Sequence, residues 1–255
     1  MATDHSGPPE RSPGERLRPA RNFPNTRWSL VLRAREDHES ASGALASLCE
    51  DYWYPLYAFV RRDGWSPEDA EDLTQDFFQA VLEKDVFGHA DQERGRLRNY
   101  LLAALKHFLL NARRRERTIK RGGGTRPLPL DHAWAEERLA AEPVDPSDPE
   151  ILYDRLWARR MLERTLADLR TSYDSLGSAK QFEVLRPFLG GTEPDGSYGR
   201  AAARLGVSEN AVKVAVHRLR RRFREHLHRH VADTLAGNSE EEIRAEILHL
   251  LRSLG

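Results

Sequence analysis

The apolar positions of this chain recur at three- and four-residue steps almost throughout, and no stretch shows the two-residue alternation of a half-buried strand. From about Ser42, the series Leu45, Leu48, Cys49, Tyr52, Leu56, Phe59 and Val60 predicts a helix. Pro55 should bend it, because proline has no N–H to give to the Asp51 carbonyl. Ser66-Pro67-Glu68-Asp69 is a strong helix start, with a capping hydroxyl, a proline at the first position and acids in the first turn. Ala70, Leu73, Phe77 and Val81 make the inner stripe of that helix, and Asp69, Asp72, Gln75, Asp76 and Gln79 occupy its other faces. A third helix is predicted from about Arg96 to Arg117, with Leu97, Tyr100, Leu101, Ala104, Leu105, Phe108 and Leu109 inward. Tyr100 and Phe108 therefore belong to the expected core.

Punctuation then divides the chain. Arg121-Gly122-Gly123-Gly124-Thr125 reads as a flexible break, and Thr125 to Pro149 is Pro-rich and acidic, which predicts an interdomain linker. Helical spacing resumes at Asp148-Pro149-Glu150 with Leu152, Leu156, Met161, Leu162, Leu166 and Leu169, and again from Ala179 to Leu189, stopped by Gly190-Gly191. Ser239 to Glu242 forms a capping box ahead of a small amphipathic helix carrying Ile243, Ile247, Leu250, Leu251 and Leu254. The expected fold is all-α: two helical bundles joined by a flexible linker, preceded by a polar, Pro-rich tail expected to be disordered. The boundaries are 1–25 for the tail, 26–120 for the first bundle, 121–149 for the linker, 150–236 for the second bundle and 237–255 for the terminal helix.

The segment from Ser197 to His230 carries the most chemical information. Ala201, Ala202 and Ala203 are small enough for a second helix to cross closely, and Leu205 and Val207 are placed to plug the angle between the two. Gly206 supplies the left-handed conformation that ends the first helix, and Ser208 can cap the second, with Glu209 against the positive end of its dipole. Val212, Val216, Leu219, Phe223 and Leu227 form one buried stripe on the second helix. Its other faces hold Asn210, Lys213, His217, Arg218, Arg220, Arg221, Arg222 and Arg224. This is the pattern of a helix-turn-helix whose second helix enters the DNA major groove. The early residues Asn210, Lys213, His217 and Arg218 are candidates for base edges, and the later arginines for phosphates.

Charge layout sharpens this reading, although the total does not. Forty basic residues balance forty acidic ones. Yet Arg113, Arg114, Arg115, Arg117, Lys120, Arg121 and Arg126 are met by Glu116 alone, and the stretch from Asp131 to Glu150 is acidic. Cys49, the single cysteine, excludes an intramolecular disulfide and falls on an apolar stripe. No Cys/His ligand cluster is visible. His226 and His230 form an i, i+4 pair but lack a plausible third ligand. The glycine run is followed by no Gly-Lys-Ser/Thr, which argues against a phosphate loop, and no acid cluster lies within a basic groove. The expectation is a protein without catalysis, cofactor or metal. The N-terminus lacks a signal-peptide core, and the longest apolar run, Tyr100 to Leu110, is broken by Lys106 and His107. A cytoplasmic protein without membrane insertion is expected.

Three segments together resemble a family. SPEDAEDLTQDFFQAVLEKD (Ser66–Asp85) resembles region 2.2 of the sigma-70 family of RNA polymerase sigma factors, in its compact extracytoplasmic-function (ECF) type. GRLRNYLLAALKHFLLNARRRER (Gly95–Arg117) resembles regions 2.3 and 2.4, and SYGRAAARLGVSENAVKVAVHRLRRRFREHL (Ser197–Leu227) resembles region 4.2. The resemblance runs from about Ala44 to His226 and leaves both tails outside. It implies a region 2-like bundle and a region 4-like bundle with the helix-turn-helix.

The implied role is to bind core RNA polymerase, direct it to particular promoters and assist their melting. Asp69, Asp72, Gln75 and Asp76 would meet the clamp helices of the largest polymerase subunit, and the region 4-like unit would meet the flap. Arg98, Lys106, His107, Asn111, Arg113 and Arg114 would engage the −10 element. Asn210, Lys213, His217, Arg218, Arg220 and Arg221 would engage the −35 element as duplex. An anti-sigma factor is a further implied partner. The chain departs from the family pattern at His107 and Asn111, where the family often has Asn and Asp, and at Ala211 and Val214, where it has Thr and Ser. The terminal helix is an addition that either covers the second bundle or masks a DNA- or polymerase-contacting surface. The competing reading is a helix-turn-helix regulator that never enters the polymerase.

Overall fold

The computed structural model describes residues 38–82, 96–118, 132–142, 148–190, 197–237 and 239–255. The N-terminal tail and the glycine run at 122–124 lie outside these residues. Among the described residues every regular element is helical, joined by one isolated bridge between Arg96 and Leu235. In chain order the elements are α1 (His38–Arg62), α2 (Pro67–Leu82), α3 (Leu97–Thr118), α4 (His132–Ala140) and α5 (Pro149–Asp174). Then come α6 (Ala179–Leu185), running on into a 3₁₀ turn (Arg186–Leu189), α7 (Ser197–Leu205), α8 (Glu209–Ala232) and α9 (Glu240–Ser253). Helix α1 continues through Pro55.

Two cores organise these helices. The first gathers Tyr52, Leu56 and Tyr57 of α1, Phe77 of α2, Leu101 and Leu105 of α3, and Tyr153, Leu156 and Trp157 of α5. The second gathers Leu169 and Tyr173 of α5, Phe182 and Leu185 of α6, Ala201 and Ala202 of α7, and Val212, Val216 and Leu219 of α8. The two cores share helices. Helix α5 begins in the first core and ends in the second, and α8 runs the other way, adding Leu227 and Val231 to the first. Asp148 caps α5 by accepting from the Glu150 N–H at 2.8 Å, with Pro149 in its first turn. Midway, Arg164 Nη1 of α5 reaches the fully buried Asp51 carboxylate of α1 at 2.7 Å, and Arg160 Nε lies 3.3 Å from its other oxygen.

Inside the stretch expected as linker, residues 132–140 form α4. The proline-rich, acidic composition hides a short apolar face: Ala135 and Leu139 are buried in the first core, and the Trp134 ring lies 5.3 Å from that of Tyr54. Glu136 fixes the docking by accepting from the Tyr57 hydroxyl at 2.7 Å and from Arg61 Nε at 2.6 Å. Cys49 packs against the first core, and burial pushes its thiol pKa up to about 11. That is the setting of a packing residue.

The terminal helix reaches further than the second bundle. Ser239 caps α9 by accepting from the Glu242 N–H at 3.2 Å, and Ile243 and Leu250 enter the first core. Between them Glu246 is fully buried. It accepts from Arg98 Nε at 2.6 Å and faces Arg96 Nε at 2.7 Å, both at the start of α3. Arg98 also pairs with Asp154 of α5, and its guanidinium lies 5.3 Å from the centroid of the Trp157 ring. The Tyr153 hydroxyl donates to the Arg98 carbonyl at 3.0 Å, and the Leu97 N–H to the Thr234 carbonyl at 3.0 Å. Burial opposes the Arg98 charge, but the hydrogen bond and attraction of Glu246, with Asp154 adding, outweigh it and raise the pKa.

Removing one partner of such a buried pair strands the other. Glu246→Ala is therefore expected to cost about 3–5 kcal/mol of stability, read from the urea midpoint. Adding Arg98→Met to that variant should restore a large part of the loss. A single-variant change below about 1 kcal/mol would show that water replaces the carboxylate.

Candidate nucleic-acid interface

Helix α7, its turn and α8 are built by local chemistry that the sequence announces. Ala201 and Ala202 are buried where the helices approach. Gly206 sits at φ 67°, in the left-handed region that an L side chain enters at a cost, and the Val207 N–H closes the turn on the Ala202 carbonyl at 3.1 Å. Ser208 Oγ accepts from the Ala211 N–H at 3.2 Å, which caps α8. Leu205 packs on the second core, whereas Val207 is exposed, so Leu205 alone plugs the angle.

With Val212, Val216 and Leu219 committed to the core, the opposite side of α8 is open. Asn210, Lys213, His217, Arg218 and Arg221 are all exposed on it. The Lys213 ammonium stands 5.6 Å from the centroid of the Tyr198 ring, and Arg221 makes a 3.2 Å pair with Glu225 one turn on. Arg220 departs from the expectation. It is half-buried, and its Nε donates to the Phe188 carbonyl at 3.0 Å, so it ties α8 to the 3₁₀ turn instead of facing outward. Arg222 likewise lies over Tyr173, with 5.4 Å to the ring centroid. Ala211, Val214, Ala215 and Arg218 line a shallow groove with Tyr173 and Gln181, and the Val214 side chain is exposed there.

Helix α3 divides its predicted contacts between exposed and engaged positions. His107, Asn111 and Arg114 are exposed at helical spacing. Lys106 pairs with Glu150, and Arg113 Nη2 donates at 2.7 Å to both the Asp63 carbonyl and its carboxylate, with its guanidinium 5.6 Å from the Trp65 centroid. Arg98 is the second departure. It is 4 % exposed and held by Glu246 and Asp154, so it offers nothing to DNA in this conformation. Phe108 packs edge-on against Phe77 at 5.9 Å, as a core-facing aromatic should.

The acidic face of α2 stands where its spacing put it. Asp69, Asp72 and Asp76 are exposed and Gln75 is half-buried. Ser66 Oγ accepts from the Asp69 N–H at 3.1 Å and donates to its carboxylate at 2.7 Å, which fixes the start of the face. Desolvation first, then the neighbouring Asp72, raises the Asp76 pKa, and Arg115 of α3 opposes both. The acidic face and the basic end of α3 are thus electrostatic neighbours.

One cluster escaped sequence reasoning. Asp168 of α5 approaches His226 and His230 of α8, and one ligating atom from each lies within 4.8 Å of the others. The histidine pair is legible as i, i+4; its carboxylate partner is not, because it comes from the other helix. Among the described residues no helix is long and apolar enough to cross a membrane.

Compared with known proteins, the chain is 28 % identical over 179 residues to the ECF RNA polymerase sigma factor SigE of Mycolicibacterium smegmatis. The match takes in 70 % of this chain and 60 % of that protein, so this chain spans less than two thirds of that relative's length. The likeness is a distant one to an ECF sigma factor. No protein-family model matches the chain, and no solved structure matches it.

The two arginines side by side on α8 should behave differently. Arg220→Ala is expected to lower stability by about 1–2 kcal/mol, because the buried end of the Phe188 carbonyl loses a charged donor. Arg221→Ala should stay within about 0.5 kcal/mol, as a surface change. Thermal denaturation of the two variants checks the pair, and equal losses would contradict the division.

Proposed function

We propose that this chain is a promoter-specificity subunit of the sigma-70 type, which binds core RNA polymerase, brings it to particular promoters and assists their opening. The observation that carries the reading is α8, a capped helix whose apolar stripe is committed to the two cores while Asn210, Lys213, His217, Arg218 and Arg221 stand exposed together. That division suits a helix laid in the major groove. The distant likeness to a sigma factor favours this function among those such a helix serves.

In this reading α8 meets the −35 element as duplex. Lys213 and Arg218 are suited to guanine edges, Asn210 to adenine, and the exposed Val214 to a thymine methyl. Helix α3 meets the −10 element through His107, Asn111, Arg113 and Arg114, with Lys106 reaching DNA once it leaves Glu150. Arg98 is assigned to the fold. The Asp69–Asp72–Gln75–Asp76 face of α2 is the polymerase-docking surface, and its acidity suits a basic counterpart.

Run-off transcription with purified core polymerase and a library of upstream sequences tests the reading. The expected outcome is transcription from a defined promoter subset; no promoter-dependent transcripts and no co-purification with core polymerase would sink it. Within that assay, Lys213→Ala and Arg218→Ala should alter the preferred −35 sequence, each costing about 1–3 kcal/mol at the base it reads. Arg224→Ala should weaken all promoters alike and reduce the salt slope by about 1. Asp72→Lys with Asp76→Lys should abolish co-purification with core polymerase while leaving the fold intact by circular dichroism.

A further inference from the structure

We propose that Asp168, His226 and His230 form a binding site for a borderline divalent transition-metal ion, with zinc the best match. The donor set is two imidazoles and one carboxylate, which suits zinc, cobalt or nickel over the all-oxygen preferences of magnesium and calcium. His226 and His230 are one turn apart on the same face of α8, and Asp168 arrives from α5, so all three donors stand on long helices and none on a loop. Asp168 Oδ2 is already 2.9 Å from His230 Nε2, and the three ligating atoms lie within 4.8 Å of one another. A small adjustment of the side chains, opening the Asp168–His230 pair and drawing His226 in, brings them to the spacing around a tetrahedral ion.

Burial grades across the site as a bound ion requires. His230 is 5 % exposed and His226 is half-buried, while the Asp168 side chain is 47 % exposed, so the cluster opens toward water on the Asp168 side. A second observation points to a ligand here. Nδ1 of His226 is buried, and among the described residues it has no hydrogen-bond partner. That leaves the ring nitrogen available to bond an ion or a water. The electrostatic surroundings are mixed. Arg229 and Arg222 oppose a cation beside His226, while Asp168 and Glu225 favour one.

The placement gives the ion a mechanical role. Thr165 and Leu169 of α5 flank Asp168, and Leu227 and Val231 of α8 adjoin the histidines, so the site lies where both helices pass from one core to the other. A metal bonded to both would brace α8 against α5 at that seam. The proposal stands independently of the promoter reading.

The test uses the full chain, stripped with chelator and titrated with zinc chloride, with magnesium chloride as the comparison. One equivalent of zinc is expected to bind and to raise the melting temperature by about 5–10 °C at ~100-fold excess over Kd, with no shift from magnesium. Cobalt in its place should give a visible d–d absorption. His226→Ala and Asp168→Asn should each lose the thermal shift and weaken zinc binding at least about tenfold. His228→Ala, whose imidazole faces Glu240 instead, should keep both. The metal-free melting temperature of each variant separates loss of the site from loss of the fold, and Asp168→Asn carries the test should His226→Ala fold poorly. No zinc-induced shift in the natural chain, or a shift retained in both His226→Ala and Asp168→Asn, would overturn the proposal.

Discussion

A helix of 26 residues is about 39 Å long and cannot be buried along one side by a single small bundle. Helix α5 meets that constraint by lending its first half to one core and its last turns to another, and the remaining helices are arranged to cover it. Leu152, Tyr153, Leu156, Trp157 and Met161 require apolar partners from α1 and α9; Leu169 and Tyr173 require them from α6 and α8. Asp51 of α1, wholly buried, then fixes the height at which α1 crosses, because Arg160 and Arg164 reach it from successive turns of α5. Without this shared spine the chain would be two small bundles, each with less apolar surface to bury relative to its size.

The terminal helix answers a related problem. An apolar stripe made of Ile243, Ile247 and Leu250 can slide along a groove with little penalty, because dispersion and burial are nearly non-directional. Glu246 removes that freedom. A carboxylate buried among apolar groups is tolerated only at the one register where Arg98 and Arg96 meet it, and Asp154 with Trp157 completes the cradle for Arg98. The same contact joins the start of α3 to the end of the chain, 148 residues later. The polar cluster thus supplies position more than net stability.

The parts that were legible in the sequence are those set by neighbours in sequence. Helical period, the Ser66, Asp148, Ser208 and Ser239 starts, and the Gly206 turn all depend on residues within four places of one another. The open side of α8 followed from the same stripe that filled its core face. What failed was set by partners far along the chain. Helix α4 was masked because only Ala135 and Leu139 mark its apolar face, and Trp134 acquires a purpose only when Tyr54 is brought to it. Arg98 and Arg220 looked like their exposed neighbours, since an arginine has no sequence signature for the carboxylate or carbonyl it will meet. Asp168 was invisible beside His226 for the same reason.

Those two arginines show how a chain with no formal net charge can present a basic helix. Arg61, Arg98, Arg138, Arg159, Arg160 and Arg164 each meet a carboxylate from another helix or from the turn just beyond one, so much of the acidic complement is matched inside the fold. On the open side of α8 the pairing stays within the helix: Glu225 meets Arg221, and Lys213, His217 and Arg218 are exposed around it. The two populations respond differently to salt. Pairs closed within the fold are screened little, whereas charges exposed on α8 are screened beyond about 8 Å at physiological ionic strength. Added salt therefore acts first on whatever α8 holds, and only much later on the helices that hold α8.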